Sequence, residues 1–372
     1  MTVLPNIKIH SNKILVILLI LTLIATCSSV NITSAEVTED LFGIYSATLD
    51  GKNLHLIISN QTQEMSHPRV SPNGEWITFT RYTQVGQNGT CEESNGYIET
   101  EIMLVKTDGT NLQTLIPPKK YAMNANSSWS PNGEYVIYIT TETPNHMPML
   151  AKINIDSKEI EFFKTPKNLI VTDPNQVNDW ICFPGRVNNF CQQNIWMMKS
   201  DGSEVILVTN KNITARHKNL DFMLGDYDPH FSPDASKIGF MRYFGGFEWH
   251  IVIVDVKTGI ETDLTEPLLG ENSISATTSN PTENSIFADT VPTWSPCGDL
   301  ILFRHIELPK IEKIGLYTMK PDGSERKKIN LERFEKIVVS AMKQSNRLFL
   351  PVLDELTDFR EFLLSTHGSR LI

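Results

Sequence analysis

The chain has 372 residues, 40% hydrophobic and 20% charged, with 20 glycines, 20 prolines and a formal net charge of −10. That length is too great for one undivided core. The acidic balance repels phosphate backbones on average, so nucleic acid is excluded as an expected partner.

The first thirty residues stand apart. Lys8 and Lys13 precede an apolar run from Ile14 to Ala25, and small polar residues follow. This is the layout of an export signal, and the run is short for a membrane span. Residues 1–35 are therefore expected to be a signal peptide or N-terminal anchor. Three fates stand open: simple cleavage, lipidation at Cys27 within "IATC", where Thr26 replaces the usual small residue, or an uncleaved anchor. An exported chain is expected in the periplasm or at the cell surface, where disulfides form. Cys182 and Cys191 are placed to bridge across one sheet, and the competing expectation is buried thiols. Asn31, Asn60, Asn88, Asn126 and Asn212 each open an N-x-Ser/Thr triplet.

From residue 41 onward one pattern recurs. "VSPNGEWITF" at Val70, "WSPNGEYVIY" at Trp129, "FSPDASKIGF" at Phe231 and "WSPCGDLILF" at Trp294 each set a tight turn before an alternating strand. Ser and Asn or Asp hydrogen-bond back to the local backbone, Pro presets φ, and Gly tolerates positive φ, which predicts a type I turn. A second hairpin follows, with Asp-Gly between strand-like runs at Asp108, Asp201 and Asp322, the signal for a two-residue loop. Each repeat thus reads as four antiparallel strands, A to D. A degenerate copy, "DPNQVNDWICF" from Asp173, is aligned by Pro174 and given a turn two residues longer. A sixth, "AMKQSNRLFL" from Ala341, keeps only its strand. The period averages about 54 residues, in the range of propeller blades with loop insertions. The expected fold is an all-β, six-bladed β-propeller over residues 41–372, with seven blades as the alternative. The aromatic or Val before Ser-Pro is expected to fill the space between blades. A hairpin before the first turn, and another at Glu361–Ile372, leave the ring closure open.

The Ser-Pro-Asn/Asp-Gly hairpin, strand and Asp-Gly hairpin together resemble the TolB-like, WD-like propeller repeat of exported proteins. The resemblance implies the fold and leaves function open among an envelope binding partner, a propeller attached to a serine peptidase, and an oligogalacturonate lyase. A peptidase needs a Gly-x-Ser-x-Gly elbow, which the chain lacks. The lyase alternative implies a divalent metal held by histidines in the channel mouth. His67 and His230, both on strand A, are the candidates, and otherwise no cofactor is expected. The main expectation is a binding or scaffold module without catalysis. Its partner would be an envelope or extracellular protein, a peptide or a glycan, with membrane contact only through an N-terminal anchor.

The long B–C and D–A connections share one face of the disc, and function tends to sit in such loops. Arg81, Arg242 and His305 fall in one slot at the end of strand B, with Arg304 beside the last. Asp226, Asp228 and Asp289 stand at the start of strand A. These residues, with Trp249, Phe244 and Phe247 as aromatic contacts, form the expected ligand-binding rim. The competing expectation is that the charges pair between blades and hold the ring.

Overall fold

A computed structural model describes residues 15–18, 42–49, 51–60, 63–85, 97–144, 146–166, 168–187, 192–216, 223–246, 248–265, 286–308 and 313–329. An N-terminal sheet comprises β1 (Leu15–Leu18), β2 (Phe42–Ala47) and β3 (His55–Asn60). Blade 1 is β4 (Glu64–Val70), β5 (Trp76–Val85), β6 (Tyr97–Lys106) and β7 (Gln113–Ile116). Blade 2 is β8 (Asn124–Trp129), β9 (Tyr135–Thr140), β10 (Met149–Asn154) and β11 (Ile160–Phe162). In blade 3 the inner strand is split into β12 (Leu169–Val171) and β13 (Asn175–Val177), followed by β14 (Trp180–Val187), β15 (Gln192–Lys199) and β16 (Ile206–Leu207). Blade 4 is β17 (Leu224–Phe231), β18 (Lys237–Gly245), β19 (Glu248–Asp255) and β20 (Glu261–Asp263). Blade 5 is β21 (Ile286–Trp294), β22 (Ile301–Leu308), β23 (Gly315–Met319) and β24 (Lys327–Lys328).

Pairing within each blade is antiparallel and follows chain order. Apolar side chains are gathered between modules rather than in one core. Ile102 and Leu104 of blade 1 meet Trp129 and Val136 of blade 2, and Ile139 and Leu150 of blade 2 meet Ile181 and Phe183 of blade 3. Similar clusters join blades 3 and 4 and blades 4 and 5. The N-terminal sheet closes the circle: Ile44 and Ile57 pack on Ile77 and Phe79 of blade 1, while Ala47 meets Ile329 after blade 5. Each such buried side chain contributes about 1.5–3 kcal/mol. The segment expected to be the export signal supplies β1, paired with β2 from Leu15↔Ala47 to Leu18↔Ile44. The sixth strand expected at Ala341–Leu350 and the hairpin at Glu361–Ile372 lie outside the described residues.

The turns have a common wiring. Gly74 N–H donates to Ser71 O at 2.9 Å, closing a type I turn, and Trp76 N–H donates to Ser71 Oγ at 2.9 Å. The Ser71 hydroxyl in turn donates to Asn73 Oδ1 at 2.6 Å. Ser130 and Ser232 repeat this with Asn132 and Asp234. In blade 5 Cys297 holds the Asn/Asp corner, and Asp299 takes the serine hydroxyl instead. The fourth corner is left-handed, at φ 75°, 74° and 73° for Gly74, Gly133 and Gly298, and at 59° for Ala235. Ala235→Gly is therefore expected to stabilise the protein by about 0.5–1 kcal/mol in urea unfolding. A loss of stability would contradict the strain assigned to this corner.

Two turn expectations are corrected. The Asp-Gly loops are not two-residue type I′ turns, which need positive φ at both positions. Only the glycine is left-handed (Gly109 at 84°, Gly202 at 84°, Gly323 at 83°), and its N–H donates back three residues, to Lys106, Lys199 and Lys320. These are type I turns ending in a glycine bulge. In blade 3, Pro174 is not a turn proline. Val177 pairs with Trp180, so the turn is the short loop Asn178-Asp179, and Asp173-Pro174 interrupts the inner strand.

The residue before Ser-Pro wedges between blades as expected, and the two tryptophans also hydrogen-bond there. Trp129 Nε1 donates to Arg69 O of blade 1 at 2.9 Å, and Trp294 Nε1 to His230 O of blade 4 at 3.0 Å. Val70, 37% exposed, is the exception.

Candidate functional site

Strand A of every blade carries the same irregularity. The register slips between Ser66 and Arg69, Ala125 and Ser128, Tyr227 and His230, and Thr290 and Thr293. At each slip one residue has positive φ: His67 (51°), Asn126 (54°), Asp228 (47°) and Val291 (56°). Asp173 (39°) holds the corresponding place in blade 3. Such bulges re-aim a side chain, and non-glycine residues in this region carry strain that the surroundings must hold. The inner strands touch around the ring, β4 on β8, β8 on β13, β13 on β17 and β17 on β21, so the bulges bring these residues together at the central channel.

The channel is polar and cross-linked. Asn126 Nδ2 of blade 2 donates to Asp173 Oδ1 of blade 3. Arg69 of blade 1 reaches blade 4, where its Nη2 is 3.0 Å from His230 Nε2 and 3.7 Å from Asp228 Oδ1. His67 Nδ1 lies 2.9 Å from the Ser66 hydroxyl, which also donates to Tyr82 Oη at 3.1 Å. Two buried polar atoms of this group, Arg69 Nε and Asn126 Oδ1, have no hydrogen-bond partner among the described residues. Asn126 is thus a channel residue, and its N-x-Ser triplet is not on the outer wall.

Burial sets the protonation states. It pushes His67 down to about 4, with Arg69 and His230 adding to the effect. It also lowers His230, helped by the Arg69 cation, so both rings are neutral at pH 7. Burial and the Asp228 charge raise Asp173 to about 7. Burial pushes upward on Asp228 as well, but the hydrogen bond with His230 and the Arg69 cation outweigh it and hold that carboxylate ionised. The cluster thus has one fixed cation, one fixed anion and one carboxyl that titrates near neutrality.

Asp228 pairs between blades, with Arg69 of blade 1, whereas the other rim residues form sets closed within their own blades. Arg242 (3% exposed) donates to Asp226 from Nε at 2.6 Å and Nη2 at 2.9 Å, and to Glu261 from Nη1 at 2.7 Å. Arg81 Nε donates to Glu101 at 2.8 Å. His305 Nδ1 is 2.7 Å from Asp289 Oδ1, and Arg326 donates to both Asp289 oxygens. Arg304 Nε donates to Thr290, and burial lowers its pKa. His250 lies 2.7 Å from Asp263 and 3.1 Å from Glu248, which outweigh burial and raise it to about 9. The strand-end charges therefore meet intrablade partners because register places them opposite one another, as in Asp226↔Arg242 and Asp289↔His305. Trp249 stacks on Tyr227 and Tyr243, with centroids at 5.4 and 4.4 Å, and Phe244 stacks on His250 and Arg216. Phe247 lies outside the described residues.

Cys182 is a fully buried free thiol in the cluster between blades 3 and 4, its Sγ 3.8 Å from Pro229 O, while Cys191 lies outside the described residues. Among the described residues no three His, Cys, Asp or Glu side chains are arranged to hold a metal ion. His67 and His230 do reach the same channel, but the Arg69 guanidinium beside His230 Nε2 occupies the place a divalent cation would need. The donor set does not fit such an ion.

Fold and channel define a β-propeller with a polar axial cluster, a fold that TolB shares. Among solved structures the chain is similar to TolB from Acinetobacter baumannii, at 16% identity and a TM-score of 0.53, over 76% of this chain and 58% of that one. The chain thus spans 58% of the length of that TolB. It is also similar to oligogalacturonate lyase from Vibrio parahaemolyticus (12% identity, 77% and 70% covered, TM-score 0.45). A puromycin-hydrolyzing peptidase from Mycobacterium tuberculosis is similar at 10% identity, with 78% and 42% covered and a TM-score of 0.49. Likeness at these identities is one of fold. A family model described as an RNA methyltransferase domain matches residues 316–372, and the described part of that stretch falls on β23 and β24 of blade 5. No curated protein matches the chain.

Proposed function

We propose that the protein is an exported recognition module that binds a peptide or glycan at the channel, entered from the long-loop side. The observation that carries this reading is the pair of unpartnered polar atoms, Arg69 Nε and Asn126 Oδ1, beside Asp173 and Asp228. Buried polar groups are ordinarily satisfied, so an unmet donor and an unmet acceptor beside one channel favour a ligand that offers both once the side chains shift to expose them. Tyr82 reaches the cluster through Ser66, and Tyr227 carries the stacked Trp249, which supplies aromatic surface near the same cluster. The leader layout of residues 1–35 supports export. Among the described residues no helix is long and apolar enough to cross a membrane.

The rim charges have a structural part in this reading, since Arg242, Asp226, Asp289 and His305 are already saturated by one another and by their blade neighbours. The test is a screen of purified protein against peptide and glycan arrays, followed by titration of each hit on Asn126→Ala and Arg69→Ala. Affinity is expected to fall by about 5- to 150-fold, the range of ordinary binding anchors. Hits that bind both variants as well as the parent would place recognition elsewhere. Metal content checks the lyase alternative directly: stoichiometric manganese or another divalent ion in the purified protein would favour it over binding alone.

A further inference from the structure

The tight-turn face has a second, independent feature. At two junctions the Ser-Pro turns of neighbouring blades touch. Gly133 sits over Pro72 and Gly298 over Pro233, so close that an added Cβ would lie 3.7 and 3.4 Å from the proline Cδ. Between blades 3 and 4 both halves of that contact are changed. Blade 3 turns through Asn178-Asp179 and brings no proline, and blade 4 places Ala235 at the glycine corner despite its left-handed φ of 59°. A cavity of about 350 Å³ opens there, within the span of small-ligand sites. Its lining is mixed: the apolar Trp180, Met197, Phe231 and Val256 stand beside the polar Asn178, Asp179, Lys199 and Asp234. Asp179 and Asp234 stand exposed at its lip, while Lys199 Nζ is 4.2 Å from the centroid of the Trp180 ring.

We propose that this cavity is a docking site for a partner protein's segment in which an apolar side chain adjoins a lysine or arginine. The apolar part of the lining takes the side chain, and the two lip carboxylates against the single lysine leave a negative edge for the cation. A strained non-glycine corner is kept where its methyl group contributes to the wall. The lip carboxylates lie beside solvent, so their contribution is to selectivity between charged and neutral segments. This site is separate from the channel.

The probe is acetyl-Phe-Arg-amide, with acetyl-Phe-Glu-amide and acetyl-Ser-Arg-amide as controls, followed through the indole N–H resonance of Trp180. Saturable shifts are expected with Phe-Arg, and binding at least ten-fold weaker with either control. Asp179→Asn, a mild change in an exposed turn, should weaken Phe-Arg at least three-fold, and Val256→Phe, which fills the cavity, should abolish the shift. Arg69→Ala in the channel should leave this binding intact while weakening channel ligands, so the two sites fail separately. Equal binding of the Arg and Glu peptides, indifference to Val256→Phe, or no shift at all would overturn the proposal.

Discussion

Arg242→Ala is expected to destabilise the protein by about 3–5 kcal/mol, read as the loss in unfolding free energy in urea. The guanidinium makes three short hydrogen bonds to Asp226 and Glu261, and Asp226 is only 1% exposed. Removing the cation strands a buried carboxylate whose pKa burial already raises against the pull of Arg242. Arg242→Lys keeps a charge but not the planar fork, and its loss should be intermediate. Replacing both partners, Arg242→Met with Asp226→Leu, should cost less than Arg242→Ala alone, because no charge is left unpaired. Channel ligands should still bind each variant that folds. A loss below 1 kcal/mol for Arg242→Ala would show that the fork does not brace blade 4.

The second large effect depends on pH. Asp173 is raised to about 7, first by burial and then by Asp228. A carboxyl raised in the folded state stabilises that state while it is protonated. Its contribution is fully present below the unfolded value near 3.8 and is lost as pH rises through about 7. Asp173→Asn should therefore raise stability more at pH 8 than at pH 5, by about 1–3 kcal/mol once partial solvent access is allowed for. The amide oxygen introduced by that substitution can still accept the hydrogen bond that Asn126 donates. Of the groups facing Asp173, Arg69 stays charged, Thr172 does not titrate, and His67 (about 4) and Asp228 (held ionised) change little between pH 5 and pH 8, so Asp173 carries the difference. Melting temperatures at pH 5 and pH 8 check this, and an equal offset at the two pH values would contradict it.

Much of the fold was legible because each turn is a local device. Ser71, Pro72, Asn73 and Gly74 act within a few residues; the same wiring recurs at Ser130 and Ser232, and at Ser295 with Asp299 as the acceptor. The blade 3 turn was misplaced because the chain uses proline in two roles. Pro68, Pro174, Pro229 and Pro292 follow the bulge residue, whereas Pro72, Pro131, Pro233 and Pro296 make the turn. Residues His67, Asp173, Asp228 and Val291, each directly before a bulge proline, were the available signal for the channel. The cluster itself was not legible. Arg69 and His230 lie 161 residues apart, and only ring closure brings them to hydrogen-bonding distance. The rim pairings could have been read from register, since Arg242 stands opposite Asp226 on the neighbouring strand. Apart from Asp228, expecting them between blades overlooked that cross-strand neighbours within a sheet lie closer than residues across an apolar seam.

Recognition at the channel is tested most directly by following imidazole resonances as a ligand is added. The chain has nine histidines, so selective labelling gives a countable spectrum. His67 and His230 are neutral at pH 7 and report from opposite sides of the cluster, blade 1 and blade 4. A channel ligand should shift both signals in step with saturation, while His55, exposed on the edge strand β3, stays put. Unchanged His67 and His230 signals at saturation would contradict the account.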